Sequence, residues 1–218
     1  MFSDSTPLFQ FRGPFDVPVQ VGPSILLLVL LFMAIGGSPE FMIYDLLFVA
    51  MLIGSIYLHE LGHAWGCLIQ GVPVRRIVLY GGGGFCEHKH ALTAEQDELI
   101  VAMGPIVNLA IWAIAGLMVP MTGGGMLTWA VATLSWMNLF LALFNLIPVL
   151  PLDGGRLFQL VLMRLMPVAW ATRISGGVGL ILSILWIPAM ILLYFSVGLV
   201  LFFIPPIGLH WQMLRQAS

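Results

Sequence analysis

The sequence His59-Glu60-Leu61-Gly62-His63 lies inside an apolar segment, 41–69, that is long enough to cross a membrane. On a helix, residues four apart share a face, so the two imidazoles stand one turn apart with a carboxylate beside them. This arrangement is typical of a zinc site in which the glutamate serves as general base. Ionisable side chains are rare inside membrane spans, so a chance match to the pattern is the weaker interpretation.

The composition of the whole chain is that of a membrane protein. The 218 residues are 60% hydrophobic and only 8% charged, whereas soluble domains carry about 25% charged residues. The net charge of −2 argues against nucleic acid as a partner. Two cysteines make no disulfide framework, and we interpret them as inert thiols. We therefore expect a multi-pass protein of the cell membrane that is surrounded by the lipid bilayer.

The apolar segments predict an all-α polytopic fold with about six transmembrane helices in a single membrane-embedded domain, 1–218. The first four spans are predicted at about 23–35, 41–69, 97–119 and 126–150. The stretch 174–209 is expected to hold two short spans, because Pro188 removes a helix hydrogen bond near its middle. A small β-hairpin, 74–85, is predicted between the second and third spans, where β-favouring residues precede glycines. Residues 1–20 are expected to lie at the membrane surface or to form a disordered tail.

The basic residues predict the orientation of the spans. If the N-terminus is cytosolic and six spans alternate, all eight lysines and arginines fall on the cytosolic side, as the positive-inside rule expects. A five-span arrangement would move only Arg215 outside. The cytosolic half of the second span, with His59 and His63, and the end of the fourth span then approach the same membrane face.

Catalytic zinc usually has three protein ligands and an open position for water, so a third ligand is expected elsewhere in the chain. One soluble class continues its motif with a third histidine, but Ile69 stands at that position and excludes this class. Glu87 is a weak candidate, because its basic and polar context indicates a solvated loop. Asp153 is the favoured candidate, since prolines and glycines frame it in irregular backbone, which at membrane depth lines a cavity or is buried in protein. A helix cap is the alternative role for Asp153.

Three asparagines lie in the apolar spans, and the third of them is close to the end of the fourth span. Asn138 is expected to form interhelical hydrogen bonds, and Asn108 is expected to allow close packing of spans. Asn145 lies seven residues after Asn138, on the face that leads to Asp153.

Two motifs together resemble the site-2 proteases, a family of intramembrane zinc metalloproteases. They are His59-Glu60-Leu61-Gly62-His63 and Asn145-x-x-Pro148-x-x-Pro151-Leu152-Asp153-Gly154. The runs Ala102-Met103-Gly104-Pro105-Ile106-Val107-Asn108 and Gly81-Gly82-Gly83-Gly84-Phe85 resemble the family as well. We expect a compact member without a PDZ or CBS domain, which leaves its timing of cleavage and any regulatory membrane partner open.

The resemblance implies a catalytic three-helix core at about 41–156 and one Zn²⁺ per chain. It implies His59, His63 and Asp153 as ligands, Glu60 as catalytic base, and an active site that opens toward the cytosol. The predicted function is that of an intramembrane zinc endopeptidase, which cleaves transmembrane segments of membrane proteins in regulated intramembrane proteolysis.

Substrate contacts are predicted at the third asparagine and in the hairpin. Asn145 is expected to contact the substrate or the transition state, as the family motif implies. Gly82, Gly83 and Gly84 are expected to bring the hairpin edge close to an extended substrate segment, which would add a strand to it.

Three other functions remain as alternatives. A membrane zinc transporter would explain the two histidines, but not Glu60 or the motif around Asp153. A catalytically inactive relative that binds membrane proteins is disfavoured by the intact Glu60. A membrane zinc protease that acts on lipid-modified soluble tails would share the first motif only.

Overall fold

The computed structural model describes residues 6–36, 42–89, 93–197 and 203–215. The described part is mostly helical and has one small β-sheet. The helices are α1 (Ser24–Gly36), α2 (Met42–Leu68), α3 (Ala94–Met118), α4 (Gly125–Asn145), α5 (Asp153–Leu165), α6 (Val168–Val197) and α7 (Ile207–Arg215). The strands are β1 (Phe9–Arg12), β2 (Pro18–Val21), β3 (Val74–Tyr80) and β4 (Gly83–His88).

The chain divides into two compact units, Met1–Ala142 and Leu143–Ser218. The first unit contains the sheet, α1 to α3 and most of α4. The second contains the motif around Asp153 and the helices α5 to α7. That the whole chain acts as one membrane-embedded protease domain stays a prediction.

Four helices among the described residues, α2, α3, α4 and α6, are long and apolar enough to cross a membrane. The coarser prediction of a polytopic helical protein is therefore confirmed, while the count of six spans is not. The described part of α1 has 13 residues, and residues 37–41 lie outside the described ranges. The predicted break at Pro188 is wrong, because α6 is one helix of 30 residues with Pro188 inside it. Membrane helices tolerate proline, since neighbouring groups satisfy the backbone it leaves unpaired.

The sheet has the strand order β1-β2-β3-β4. The β1–β2 and β3–β4 pairs are antiparallel, and β2 pairs with β3 in parallel. The β3–β4 hairpin lies between α2 and α3 in sequence and extends three residues beyond its predicted end. The expectation of a disordered tail is wrong for the described part of residues 1–20, because Phe9–Arg12 and Pro18–Val21 are strands of the sheet, while a location at the membrane surface stays a prediction. Val19 and Val21 of β2 are buried against Ile77 and Leu79 of β3, and this burial of β-branched side chains holds the N-terminal strands in the sheet.

Glycines allow α2 and α3 to approach closely. A Cβ atom placed on Gly62 would lie 2.7 Å from the carbonyl oxygen of Met103, and one on Gly66 would lie 3.0 Å from Met103 Cγ. Gly62 and Gly66 are four residues apart and share a face of α2 with His59 and His63. Small residues with this spacing let helix backbones pack closely in membranes. The histidine face of α2 is therefore pressed against α3.

Glu87 on β4 is paired with arginines of β3 rather than with the histidines. Its Oε2 accepts a hydrogen bond from Arg76 Nε at 2.6 Å, and its Oε1 accepts one from Arg75 Nη1 at 3.1 Å. Arg76 also donates to Gln20 Oε1 of β2 at 2.8 Å. Glu87 is absent from the metal-binding group that the described residues form.

We expect the sheet to lose this stabilisation in acid. The arginines, Arg76 before Arg75, lower the pKa of Glu87 below its ordinary value. A carboxyl whose folded pKa is lowered stabilises the fold above its unfolded pKa, about 4.3, and the effect is lost as the pH falls through the folded pKa. Thermal unfolding of the native protein and of Glu87→Gln should therefore differ at neutral pH, and the difference should be smaller at about pH 3. An equal difference at both pH values would contradict this.

Candidate active site

His59 and His63 of α2 hold their rings in fixed orientations. Both side chains are buried, at 6% and 8% exposure. His63 Nδ1 donates to the carbonyl oxygen of Ile100 at 2.8 Å, and His59 Nδ1 lies 2.5 Å from Asn108 Oδ1. Because a carbonyl oxygen can only accept, each ring carries its hydrogen on Nδ1 and presents an Nε2 lone pair.

The two Nε2 atoms lie 3.1 Å apart. Two neutral acceptors at this distance cannot hydrogen-bond to each other, whereas a cation shared by both satisfies both lone pairs. Second-shell hydrogen bonds from Nδ1 to an oxygen are the usual way in which metal-binding histidines are oriented. The imidazole pair is therefore preorganised for a metal ion.

Asp153, the first residue of α5, belongs to the same group of potential ligands. With His59 and His63 it offers the three ligand atoms of a candidate metal site among the described residues. Two imidazole nitrogens and one carboxylate oxygen are a donor set of catalytic zinc, with a fourth position left for water or substrate. The residues present thus fit zinc, as the sequence predicts.

Gly104 of α3 leaves the space beside the imidazoles open. A Cβ atom on Gly104 would lie 2.4 Å from His63 Nε2 and 2.7 Å from His59 Cε1. Any other residue at this position would occupy the space in front of the ligand atoms. The sequence reasoning noted this glycine only as part of a resembling run, and its role became visible through the contact between α2 and α3.

Glu60 of α2 is buried, at 6% exposure, and it faces the hairpin. A Cβ atom on Gly84 of β4 would lie 2.7 Å from Glu60 Cγ and 3.1 Å from Glu60 Oε1. Burial and then the charge of Glu60 raise the pKa of Tyr80 on β3. Glu60 therefore lies on the side of α2 that faces the sheet.

The three hairpin glycines predicted to bind substrate occupy different positions. Gly84 contacts Glu60, Gly82 lies in the turn between β3 and β4, and Gly83 is the first residue of β4. Gly83 has a φ of +136°, which favours glycine, and a Cβ on Gly82 would lie 2.8 Å from the ring of Tyr80. Asn145 is the last residue of α4. Substrate binding by these four residues stays a prediction.

We expect Gly84→Ala to lower activity by displacing Glu60. The new methyl group would overlap Glu60 Cγ, and the flexible side chain would rotate away from its position beside His59. Because a misplacement of about 1 Å can slow a reaction about 100-fold, a loss of 10- to 100-fold in kcat with zinc retained is expected. Gly54→Ala is the matched control, since no heavy atom lies within 4 Å of its added Cβ. Unchanged kcat in Gly84→Ala would show that Glu60 does not depend on this contact.

The backbone around Asp153 folds tightly back on the segment that follows α4, residues 146–150. A Cβ atom on Gly154 would lie 2.2 Å from the carbonyl of Leu146, and one on Gly155 would lie 2.5 Å from the amide nitrogen of Leu150. Leu152 is the N-cap residue of α5, so Asp153 does not hold the N-cap position. The two glycines thus have a steric role in placing the start of α5.

His210 of α7 is a residue that the sequence reasoning missed. It is buried, and burial lowers its pKa. Its neutral ring donates from Nε2 to the carbonyl oxygen of Leu150 at 3.3 Å, within the motif that precedes Asp153. A lone histidine beyond the last apolar stretch carried no signal of this contact.

The comparison with known families decides the classification. The model of peptidase family M50 matches residues 47–125 and 124–186 of the chain. The chain belongs to this family. The resemblance to site-2 proteases stated from the motifs is thereby confirmed.

Relatives of this M50 member include named metalloproteases. The candidate zinc metalloprotease sll0528 of Synechocystis sp. is 33% identical over 82% of this chain and 46% of its own length. Zinc metalloprotease MJ0392 of Methanocaldococcus jannaschii is 27% identical over 83% of this chain and 52% of its own length. The chain spans about half the length of the curated relatives it matches.

A solved structure has the same fold as this M50 chain. The site-2 protease from Methanocaldococcus jannaschii superposes with a TM-score of 0.69, at 24% sequence identity, over 96% of each chain. The four membrane-capable helices of this chain and its membership of family M50 support a multi-pass membrane protein.

Proposed function

We propose that this protein is an intramembrane zinc metalloendopeptidase that cleaves transmembrane segments of membrane proteins in regulated intramembrane proteolysis. The observation that carries the proposal is that one helix, α2, holds two buried, preorganised imidazoles and the buried carboxylate of Glu60, with Asp153 as a further potential ligand. Membership of family M50 and the names of the relatives support the same chemistry.

His59, His63 and Asp153 would hold the zinc ion in this proposal. When bound, zinc supplies Lewis acidity, which lowers the pKa of a bound water to about 7 and polarises a carbonyl. The Nδ1 hydrogen bonds of the two histidines leave the Nε2 atom of each ring available to the ion. The low exposure of these side chains limits bulk water at the reacting atoms.

Glu60 would act as the general base and then as the general acid. Its neighbour His59 would be a ligand, and consecutive residues on a helix differ by about 100° in direction, which suits Glu60 to contact a bound water rather than to serve as a further ligand. Glu60 accepts the proton of the attacking water and delivers it to the leaving amine nitrogen. Asn145 would donate a hydrogen bond to the oxyanion as it forms.

The substrate would be a membrane-protein segment in extended form. A helical peptide bond has its carbonyl hydrogen-bonded, so the segment must unwind before attack. The β4 edge lies directly against Glu60 through Gly84, and an unwound segment could pair with that edge by strand addition. We expect substrates to carry helix-weakening residues near the scissile bond. The N-terminus and the opening of the site would face the cytosol, as the distribution of basic residues favours.

The proposal is tested by comparing membrane proteomes of cells that express the native chain or Glu60→Gln. The native chain should generate fragments that end inside a transmembrane segment, and the variant should not. The absence of any such fragment, together with zinc transport by the purified protein in vesicles, would replace the protease with the transporter.

Asp153→Asn is expected to lower zinc affinity by at least about 10-fold. The substitution keeps the shape of the side chain but replaces a charged ligand with a neutral amide oxygen, which binds zinc poorly. Zinc per chain is measured by mass spectrometry of the metal content during titration with a chelator. Asp45→Asn, in the first turn of α2, is the matched control. Undiminished affinity in Asp153→Asn would remove this residue from the ligand set.

A further inference from the structure

A buried chain of polar side chains connects His59 to two other helices. Asn108 of α3 and Asn138 of α4 are both 0% exposed. Asn108 Oδ1 faces His59 Nδ1, and Asn108 Nδ2 donates to Asn138 Oδ1 at 2.7 Å. Asn138 Nδ2 donates to the carbonyl oxygen of Leu134 and to Ser55 Oγ, both at 2.9 Å. This His59–Asn108–Asn138 relay lies wholly within the first unit.

The direction of the relay is determined by a backbone group. The carbonyl oxygen of Leu134 can only accept, so the Asn138 atom that faces it must be the amide nitrogen. Asn138 Oδ1 therefore faces Asn108 and can only accept. Asn108 must then present its own nitrogen to Asn138 and its oxygen to His59. His59 is left with a hydrogen on Nδ1 and a lone pair on Nε2.

The opposite direction would be incompatible with metal binding by His59. If the Asn108 amide were reversed, its nitrogen would donate to His59 Nδ1, and the ring hydrogen would move to Nε2. That hydrogen would point at His63 Nε2, only 3.1 Å away, and would form a direct bond between the two imidazoles. This competing state satisfies both rings without a metal ion.

We propose that Asn108 and Asn138 are positioning residues that keep His59 in its metal-binding tautomer, with the Leu134 carbonyl as the group that sets the direction. This inference rests on the proposed zinc site. Two side chains that lie outside both sequence motifs would thus contribute to the zinc affinity. His63 needs no such relay, because its Nδ1 donates directly to a backbone carbonyl, that of Ile100.

The tautomer of His59 in zinc-free protein provides the direct test. Protein with ¹⁵N-labelled histidine is examined by NMR at about pH 8.5, above the ordinary histidine pKa of about 6.5, and signals are assigned with single histidine variants. The native protein should carry the His59 hydrogen on Nδ1. Asn138→Leu should show a substantial fraction with the hydrogen on Nε2, while the His63 tautomer stays unchanged.

Zinc affinity in competition with a chelator provides the second measurement. Loss of a second-shell partner commonly lowers metal affinity 10- to 100-fold, and we expect this range for Asn108→Leu and a smaller loss for Asn138→Leu. Asn138→Asp should retain native affinity, because its protonated acid can donate to the Leu134 carbonyl and accept from Asn108. If the leucine variants fail to fold, a His59 tautomer in this near-isosteric variant that differs from the native one would contradict the inference.

Ser135→Ala is the matched control. Ser135 is a buried residue of α4 that donates to the carbonyl oxygen of Trp112 in α3 at 2.9 Å. Its removal takes away another α3–α4 hydrogen bond without touching the relay, so tautomer and affinity should stay native. An unchanged His59 tautomer in both Asn108→Leu and Asn138→Leu would overturn the inference. If Asn108 and Asn138 control the His59 tautomer as expected but the protein cleaves no substrate, the inference stands and the proposed function is overturned.

Discussion

Glu60→Gln is expected to lower peptide-bond hydrolysis by about 10²- to 10⁴-fold, the usual contribution of a positioned general base. Glutamine has nearly the same shape, so the contact with Gly84 and the packing of α2 should persist. The amide nitrogen cannot accept the proton of the attacking water, and the step loses its base. Zinc content should stay native, because Glu60 is outside the group of potential ligands.

Cleavage of a purified transmembrane substrate in vesicles measures this effect, with zinc per chain determined on the same samples. Glu87→Gln is the matched control, because it makes the same chemical change at a carboxylate that pairs with arginines. Full activity in Glu60→Gln would remove Glu60 from the mechanism. Loss of zinc in this variant would show that Glu60 supports the metal site instead.

Gly104→Ala is expected to lower zinc affinity by more than about 100-fold, beyond the usual effect of a second-shell change. The added methyl group would lie 2.4 Å from His63 Nε2 and 2.7 Å from His59 Cε1. The helices cannot separate easily to make room, because Gly62 already abuts the backbone of Met103. Both rings would have to rotate, which breaks their Nδ1 hydrogen bonds to Asn108 and Ile100.

Chelator competition measures the affinity of Gly104→Ala, and thermal unfolding shows whether the variant remains folded. Gly54→Ala in α2 is the control, because its added methyl group meets no heavy atom within 4 Å. The control should bind zinc as the native protein does. Its helix should not be weakened, because alanine favours a helix by about 1 kcal/mol over glycine. Native affinity in Gly104→Ala would mean that the ligand atoms are not arranged as described.

Local patterns predicted the helices that carry the site. The apolar segment 41–69 predicted α2 to within one residue at each end, because a long apolar run with polar flanks defines a membrane span. The spacing of His59 and His63 placed both rings on one face, since helical periodicity is a local property. The predicted break at Pro188 is wrong because it considers only the local effect of proline. The bilayer and the neighbouring helices keep α6 continuous in spite of that effect.

The N-terminal strands show the limit of local reading. Val17, Val19 and Val21 alternate with Pro18 and Gln20, but a short alternating run forms a strand only beside a partner. That partner, β3, begins more than fifty residues later in the sequence. Asn108 was expected to allow packing, whereas it pairs with His59 and Asn138. No spacing in a single chain segment encodes a contact among three helices.

By itself the sequence determined the membrane class, the helix that carries His59, Glu60 and His63, and the chemical type of the site. Those features follow from composition and from residues a few positions apart. Only the tertiary structure decided that Gly104 leaves the space at the ligand atoms open, that Gly84 brings β4 against Glu60, and that Asn108 and Asn138 orient His59. Such contacts depend on how helices and strands are rotated and packed against one another, which short-range spacing does not specify.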